Sequence, residues 1–85
     1  MEQPQEKEIG VVTHYFTNIG VAVIKLSNTL RVGDEIHIKG ATSDFKQRID
    51  SMQIEHDQIK EAKAGQSIGL KVADHAREKD MVYKA

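Results

Sequence analysis

The chain has 85 residues, enough for one compact domain and too few for two. With 39% apolar and 29% charged residues, its composition is that of a globular domain and excludes a disordered or fibrous chain. The absence of cysteine excludes disulfides, thiolate metal sites and a cysteine nucleophile, and a net charge of −1 excludes a global basic field directed at nucleic acid or an anionic membrane.

Residues 1–8, MEQPQEKE, are polar and acidic, and they predict an N-terminal tail before a single domain at residues 9–85. They lack the basic and then apolar pattern of a secretory signal. No apolar run approaches the roughly 20 residues that cross a bilayer. We therefore expect a cytoplasmic protein without a membrane partner.

Two runs rich in Val, Ile, Tyr, Phe and Thr follow, at residues 9–16 and 20–26, and residues 17–19 separate them. This spacing predicts a β-hairpin. The second run, GVAVIKL, is apolar at alternate and at intervening positions. Such a pattern is typical of a strand covered on both faces, so we expect this strand to be central in its sheet.

Residues 27–33 contain turn formers, and residues 34–40 then alternate between an apolar face with Ile36 and Ile38 and a polar face. After a loop at residues 41–44, a long strand begins at Phe45. Phe45 and Ile49 have one parity in this strand, whereas Met52 has the other. A regular strand would leave half of these side chains in water, so the pattern predicts a bulge or bend near residues 50 and 51.

The C-terminal third predicts further short strands. Residues 55–64 favour a short strand or turn with Ile59 facing inward, residues 66–74 alternate again, and residues 81–83 suit a last strand. Short strands with regular turn signals and no long helix predict an all-β fold, specifically a small Greek-key barrel of six or seven strands.

The motifs IGVAVIKLSNTLRVGDEIHIKG and AGQSIGLKVA give this chain a resemblance to known families. It resembles the second domain of the translation GTPases, of the elongation factor Tu and initiation factor two type. It is also similar to the C-terminal barrel of collagenase-like peptidases involved in RNA modification. The best matching positions are the hairpin glycine, the Leu-x-Val-Gly-Asp turn, the Ser-Met strand end and the Ala-Gly-x-x-x-Gly entry: Gly20, Leu30, Val32, Gly33, Asp34, Ser51, Met52, Ala64, Gly65 and Gly69.

In the translation factors the resemblance implies three uses of the barrel: packing on the GTPase domain, contacting ribosomal RNA and, in some members, holding the aminoacyl end of tRNA. Three matched residues have structural roles as well. Gly33 and Gly65 supply positive φ before strands, and Asp34 accepts backbone N–H bonds in its turn. No phosphate-binding loop occurs, so we expect neither GTPase activity nor a bound nucleotide.

Candidate catalytic and metal-binding residues do not form a recognisable pattern. The four histidines, His14, His37, His56 and His75, lie too far apart for a metal motif. The Asp74-His75 pair has no nucleophile beside it and suits a loop cap, and the carboxylates of Glu55, Asp57 and Glu61 fall in a segment that favours exposure. We therefore predict no catalytic residues, no metal, no cofactor and no enzymatic activity.

Pairing the third and fourth strands with Ile36 opposite Ile49 predicts a basic patch on the outer face. In that register Lys39 lies across from Lys46, and His37 lies across from Arg48. These four residues, His37, Lys39, Lys46 and Arg48, are candidates for binding RNA or another anion. A solvated face without function is the alternative, since such pairs cost only about 0.2 to 1 kcal/mol each.

Two hypotheses about function follow. The first is a non-enzymatic, translation-factor-like module that binds RNA, the ribosome or a translation-related protein. The alternative is an accessory subunit that docks in trans on a separate enzyme, either a GTPase or an RNA-modifying peptidase-like protein. In that case we expect the contact at an exposed apolar patch that includes Phe16, Ile19 and Val21.

Overall fold

The computed structural model describes residues 7–41, 43–55 and 57–84, and these contain ten β-strands and no helix. The all-β prediction is confirmed. There are more strands than the six or seven predicted, because short pairs of two or three residues count separately. The strands are β1 (Lys7–Phe16), β2 (Val21–Leu26), β3 (Leu30–Arg31), β4 (Glu35–Lys39), β5 (Asp44–Arg48), β6 (Met52–Ile54), β7 (Asp57–Ile59), β8 (Glu61–Ala62), β9 (Ser67–Lys71) and β10 (Met81–Lys84).

The first strand begins at Lys7, two residues before the predicted start of the domain at residue 9. Its pairing with β10 starts at once, since Lys7 lies opposite Lys84. Residues 1–6 of the predicted tail lie outside the described residues, so the division between a tail at 1–8 and a domain at 9–85 stays a prediction.

Eight strands form one antiparallel sheet in the order β5-β4-β10-β1-β2-β9-β6-β7, and β3 pairs separately with β8. The C-terminal β10 lies between β4 and β1 of the same chain. As its apolar sequence predicted, β2 is central, between β1 and β9. Both Val21 and Val23 on its outer face are half-buried, which fits a strand covered on both sides.

The sheet curls because β5 and β6 are consecutive in the chain but first and seventh in the sheet. In a flat sheet, six interstrand steps would separate them by about 29 Å. The chain from Arg48 to Met52 can span at most about 14 Å. The sheet therefore bends into a half-barrel, which confirms a small β-barrel. Ile49 is buried in the connection, whereas Asp50 and Ser51 are exposed at the predicted bend.

The inner face of the curled sheet encloses one apolar core. Every strand of the large sheet except the edge pair β5 and β7 gives it at least one fully buried side chain. Ile59 of β7 faces inward and packs against this core, as predicted for that segment. The buried apolar residues are Ile9, Val12, Ala22, Ile24, Leu26, Leu30, Ile36, Ile38, Ile49, Met52, Ala62, Ile68, Leu70, Val72, Ala76 and Val82.

The turns that lead into β4 and β9 depend on glycine for their backbone conformation. Gly33 has a φ of 98° and Gly65 a φ of 92°, which confirms the positive φ predicted for both. The turn at Gly33 is also closed by Asp34, whose carboxylate accepts the Arg31 N–H at 3.0 Å. These turns direct the chain into β4 and β9.

The register between β4 and β5 differs from the predicted one by two residues. The Gly40 N–H donates to the Ser43 carbonyl at 2.7 Å, so the connection is tighter than the predicted loop at residues 41–44. Lys39 consequently lies opposite Asp44, and Arg48 lies opposite Glu35. A shift by two keeps every side chain on its predicted face. It replaces the predicted like-charge pairs at these positions with opposite charges.

The same turn brings Gly40 against the buried carboxylate of Asp80. A Cβ atom added at Gly40 would lie 1.8 Å from Asp80 Oδ1. That carboxylate has little freedom to move, because Asp80 is 4% exposed and its Oδ2 accepts the Arg77 N–H at 2.9 Å. The position therefore excludes a larger residue.

We expect Gly40→Ala to lower the free energy of unfolding by about 1 to 3 kcal/mol, because the methyl group overpacks this contact. Urea unfolding of the variant measures the loss. Gly69→Ala is the matched control, since its added Cβ meets its nearest neighbour at 3.6 Å, an ordinary contact. A Gly40→Ala loss that persists unchanged in an Asp80→Ala background would contradict the explanation.

Candidate functional site

Three connections lie together at one end of the barrel, here called the loop end: the β1–β2 turn at residues 17–20, the β4–β5 turn at residues 40–43 and the β9–β10 loop at residues 72–80. The registers place them there. Lys71 at the end of β9 is opposite Val21, and Met81 at the start of β10 is opposite Lys39. At the loop end, exposed apolar side chains lie close to polar and charged ones.

The β9–β10 loop is fixed to the neighbouring strands by backbone hydrogen bonds. The Val72 N–H donates to the Gly20 carbonyl at 3.0 Å, and the Lys79 N–H donates to the Val12 carbonyl at 2.7 Å. The middle of the loop is anchored by Ala76, which is fully buried. The loop therefore forms a fixed part of the surface.

The tip of the β1–β2 hairpin, residues 16–20, exposes two large apolar side chains. Phe16 is 45% exposed and Ile19 is 61% exposed. Within the described ranges the third exposed large hydrophobic residue is Val32, in the turn that leads into the opposite end of β4. Val21, the third member of the predicted apolar patch, is half-buried. A cleft of about 440 Å³ runs along residues 15–19.

The hairpin tip is held in place from two sides. The N–H groups of Ile19 and Gly20 both donate to the Phe16 carbonyl, at 3.2 and 2.9 Å. The imidazole of His14 packs edge-on against the Phe16 ring with their centroids 4.4 Å apart. His14 Nδ1 also lies 3.3 Å from Glu78 Oε2 of the β9–β10 loop. The exposed Phe16 ring is thus supported by ordered neighbours.

A second, polar cleft of about 320 Å³ lies next to the hairpin tip, between the β4–β5 turn and the β9–β10 loop. The rings of Tyr15 and His75 are 4.5 Å apart and link the two clefts. The Asp74 carboxylate accepts the His75 backbone N–H at 2.8 Å, a contact that suits the loop-cap interpretation of this pair. The Ser43 hydroxyl donates to the His75 carbonyl at 3.3 Å.

His37 is buried, contrary to the exposed position predicted for it. It lies on the outer face of β4, between Tyr83 of β10 and Lys46 of β5, and is 9% exposed. Its Nε2 forms a hydrogen bond with Asp44 Oδ1. That hydrogen bond, followed by the nearby positive charges, holds the pKa of the Asp44 carboxyl below its ordinary value. The sequence did not indicate this pair, because it depends on the tight β4–β5 turn, which places Asp44 opposite Lys39 and diagonally across from His37.

The other three residues of the predicted basic patch, Lys39, Lys46 and Arg48, are exposed on β4 and β5. They do not form the predicted basic strip, because acidic residues alternate with them across the two strands. The predicted pairing of Lys39 with Lys46 and of His37 with Arg48 is wrong, because the β4–β5 turn is two residues shorter than predicted. Anion binding by His37, Lys39, Lys46 and Arg48 stays a prediction.

The remaining candidates for chemistry are dispersed. Glu61 is held by Arg31, whose Nε lies 3.0 Å from Glu61 Oε2. Glu55 and Asp57 are exposed at the β6–β7 turn, and His56 lies outside the described residues. Residues 7–41, 43–55 and 57–84 contain no group of three or more His, Cys, Asp or Glu side chains that could hold a metal ion.

No helix within the described ranges is long and apolar enough to cross a membrane. The predicted cytoplasmic location stays a prediction.

Comparison with curated proteins shows similarity to two proteins named for proteolysis. The chain is 39% identical over 77 residues to an uncharacterized protease of Methanocaldococcus jannaschii. It is 32% identical over 82 residues to a collagenase of Porphyromonas gingivalis. These matches cover 89% and 94% of the chain but 19% and 23% of the relatives, so the chain spans about a fifth of their length. No family model matches the chain.

Comparison with solved structures identifies the corresponding domain. Two crystal structures of the C-terminal domain of a Geobacillus thermoleovorans protein described as a U32 peptidase superpose with TM-scores of 0.88 and 0.87. Their sequence identities are 26% and 25%. The superpositions cover 92% and 100% of this chain and 99% and 98% of the compared chains. The chain is therefore similar over nearly its whole length to the C-terminal domain of a protein described as a U32 peptidase.

These findings correct the functional expectation. The similarity to the C-terminal barrel of collagenase-like peptidases is confirmed, whereas the resemblance to the second domain of translation GTPases is not shown. The relatives carry the names of a protease, a collagenase and a U32 peptidase, so the prediction of a translation-factor-like RNA or ribosome module was wrong. The matched glycines and Asp34 form turns in this barrel, so they report turn geometry and not a particular family.

The His37–Asp44 contact makes stability depend on pH. A carboxyl whose pKa is lowered by folding stabilises the protein above its unfolded value, and this contribution is lost as the pH falls through the folded value. We therefore expect Asp44→Asn to be less stable than the wild type near neutral pH and to approach it in acid. Urea midpoints between pH 2 and 7 measure this.

Asp50→Asn is the control, because the Asp50 carboxylate is exposed and forms no ion pair with the described residues. Parallel midpoint curves for the wild type and Asp44→Asn across the whole pH range would contradict the role of this contact.

Proposed function

We propose that this chain is a non-catalytic accessory barrel of a U32-type peptidase protein, and that it packs against the peptidase portion through its loop end. The observation that carries the proposal is the hairpin tip, where Phe16 and Ile19 present apolar surface on an ordered support. Exposed apolar side chains that cluster on a rigid element are typical of a protein interface.

The comparisons support the accessory part of this proposal. The chain matches the C-terminal domain of one U32-type protein from end to end and about a fifth of two larger relatives. The remaining four fifths of those relatives are long enough to hold a separate domain with its own core. A barrel joined to such a domain meets it through a surface that the barrel alone exposes to water.

The contacts of the polar side chains support the non-catalytic part. Peptide hydrolysis needs an activated nucleophile or water with a base in reach. The Ser43 hydroxyl is instead 4% exposed and donates to the His75 carbonyl, and the Asp74 carboxylate is engaged by a backbone N–H. The buried Asp80 carboxylate likewise accepts the Arg77 N–H. These groups stabilise the loop end.

The docking proposal predicts that the tip determines affinity. The Methanocaldococcus jannaschii protein is prepared without its 77 matching residues, and the 85-residue chain is added back in calorimetry, with the excised segment as the positive control. We expect Phe16→Ser combined with Ile19→Ser to weaken binding roughly 10- to 100-fold. In the wild type, binding removes these two partly exposed apolar side chains from water, and the variant has no such surface to bury.

Val32→Ser is the matched control, since Val32 is an exposed apolar side chain far from the loop end. Binding that is reduced equally by Val32→Ser and by the double variant would contradict docking through the tip. So would binding of the excised segment without binding of the chain.

A further inference from the structure

A side-chain amide, rather than a strand, connects β5 to the end of β9. Gln47 of β5 is half-buried, and its Nε2 donates to the Lys71 carbonyl at 3.0 Å. Its Oε1 accepts the Ala73 N–H at 2.7 Å. One amide thus binds the two backbone groups on either side of Val72. This junction of Gln47 with residues 71–73 is here called the seam.

The seam has the hydrogen-bond pattern of a parallel strand pair. In such a pair, one residue donates to the carbonyl before its partner and accepts from the N–H after it. Val72 itself faces the other way and donates to Gly20. On the seam side, β6 pairs with β9 at Gly69, before residues 71–73 are reached. The Gln47 amide therefore occupies the place that the backbone of another strand would take.

An open cleft of about 430 Å³ runs along the seam. Its lining includes residues 71–73 together with Arg48 and Asp50, so three charged residues, Arg48, Asp50 and Lys71, border it. All three charges are exposed, and within the described part of the chain none of them forms an ion pair. Two positive charges against one negative charge favour a ligand that carries a carboxylate.

We propose that the seam binds an extended, acidic peptide segment, whose backbone pairs with residues 71–73 in place of the Gln47 amide. The addition of a strand to an unpaired edge supplies backbone hydrogen bonds, and neighbouring side chains select the sequence. The exchange breaks the two hydrogen bonds of the Gln47 amide and forms two hydrogen bonds between the peptide backbone and residues 71–73. The number of hydrogen bonds at residues 71–73 therefore stays the same. Arg48 and Lys71 then contact the acidic side chains.

This inference goes beyond the docking role, because it rests on Gln47 and the backbone of residues 71–73 and not on Phe16 and Ile19 of the hairpin tip, although residues 72 and 73 also belong to the β9–β10 loop. Gln47 acts here as an internal competitor for the peptide. A variant that lacks its amide leaves the edge unpaired, so the peptide gains the two hydrogen bonds without displacing a group. Gln58 on β7 offers a matched control, because it is an exposed glutamine whose side chain forms no hydrogen bond with the described residues.

The test uses the 85-residue chain labelled with ¹⁵N and a blocked peptide of alternating valine and glutamate as the probe. Titration is followed at the Ala73 backbone amide and at the side-chain amide of Gln47. We expect both signals to move in the wild type. We expect Gln47→Ala to bind about 30-fold more tightly, the equivalent of two net hydrogen bonds, and Gln58→Ala to bind like the wild type.

A probe with lysine in place of glutamate is expected to bind at least fivefold more weakly, because it meets Arg48 and Lys71 with like charge. The proposal is overturned if the Ala73 and Gln47 amide signals stay unchanged in millimolar peptide, if the shifts lie at Phe16 and Ile19 instead, or if Gln47→Ala binds no more tightly. If Gln47→Ala does not fold, the wild-type signals of Ala73 and Gln47 and the comparison of the glutamate and lysine peptides still test the proposal.

Discussion

The short connection from Arg48 to Met52 determines the shape of the sheet. It joins strands that stand at positions one and seven of the sheet, and its reach of at most about 14 Å requires the sheet to curl. The curl places the inner face around one apolar core. It also brings β5 against the end of β9, where Gln47 completes the contact with a side-chain amide.

The loop end follows from the same topology. Antiparallel pairing of β9 with β2 and of β10 with β4 places three connections at one end of the barrel. The long β9–β10 loop is tied to both hairpins, so the tip with Phe16 and Ile19 rests on a fixed support. A barrel that is rigid at this end can hold an apolar surface in water without burying it in its own core. This is the property expected of a domain that packs on a larger protein.

Much of the fold could be predicted from the sequence, because side-chain parity reports burial directly. The change of parity between Ile49 and Met52 indicated the bend, and the two-sided apolar run at residues 20–26 indicated the central strand. The register of β4 with β5 could not be predicted, since it depends on whether the turn holds two residues or four. The burial of His37 depends on that register and on β10, a strand from the far end of the chain. The family could not be chosen from the sequence, because the residues that carried the resemblance, such as Gly33, Asp34 and Gly65, have roles in turns that do not depend on function.

Amide hydrogen exchange at Ala73, read with nuclear Overhauser contacts from the Gln47 side chain, tests whether β5 meets the end of β9. The curled barrel predicts a contact between the Gln47 amide and the Ala73 N–H. It also predicts that this N–H exchanges well below its intrinsic rate, because the curl holds it 2.7 Å from the Gln47 Oε1 that accepts it. An unprotected Ala73 amide without a contact to Gln47 would show that β5 does not meet β9. It would contradict the curled barrel described here.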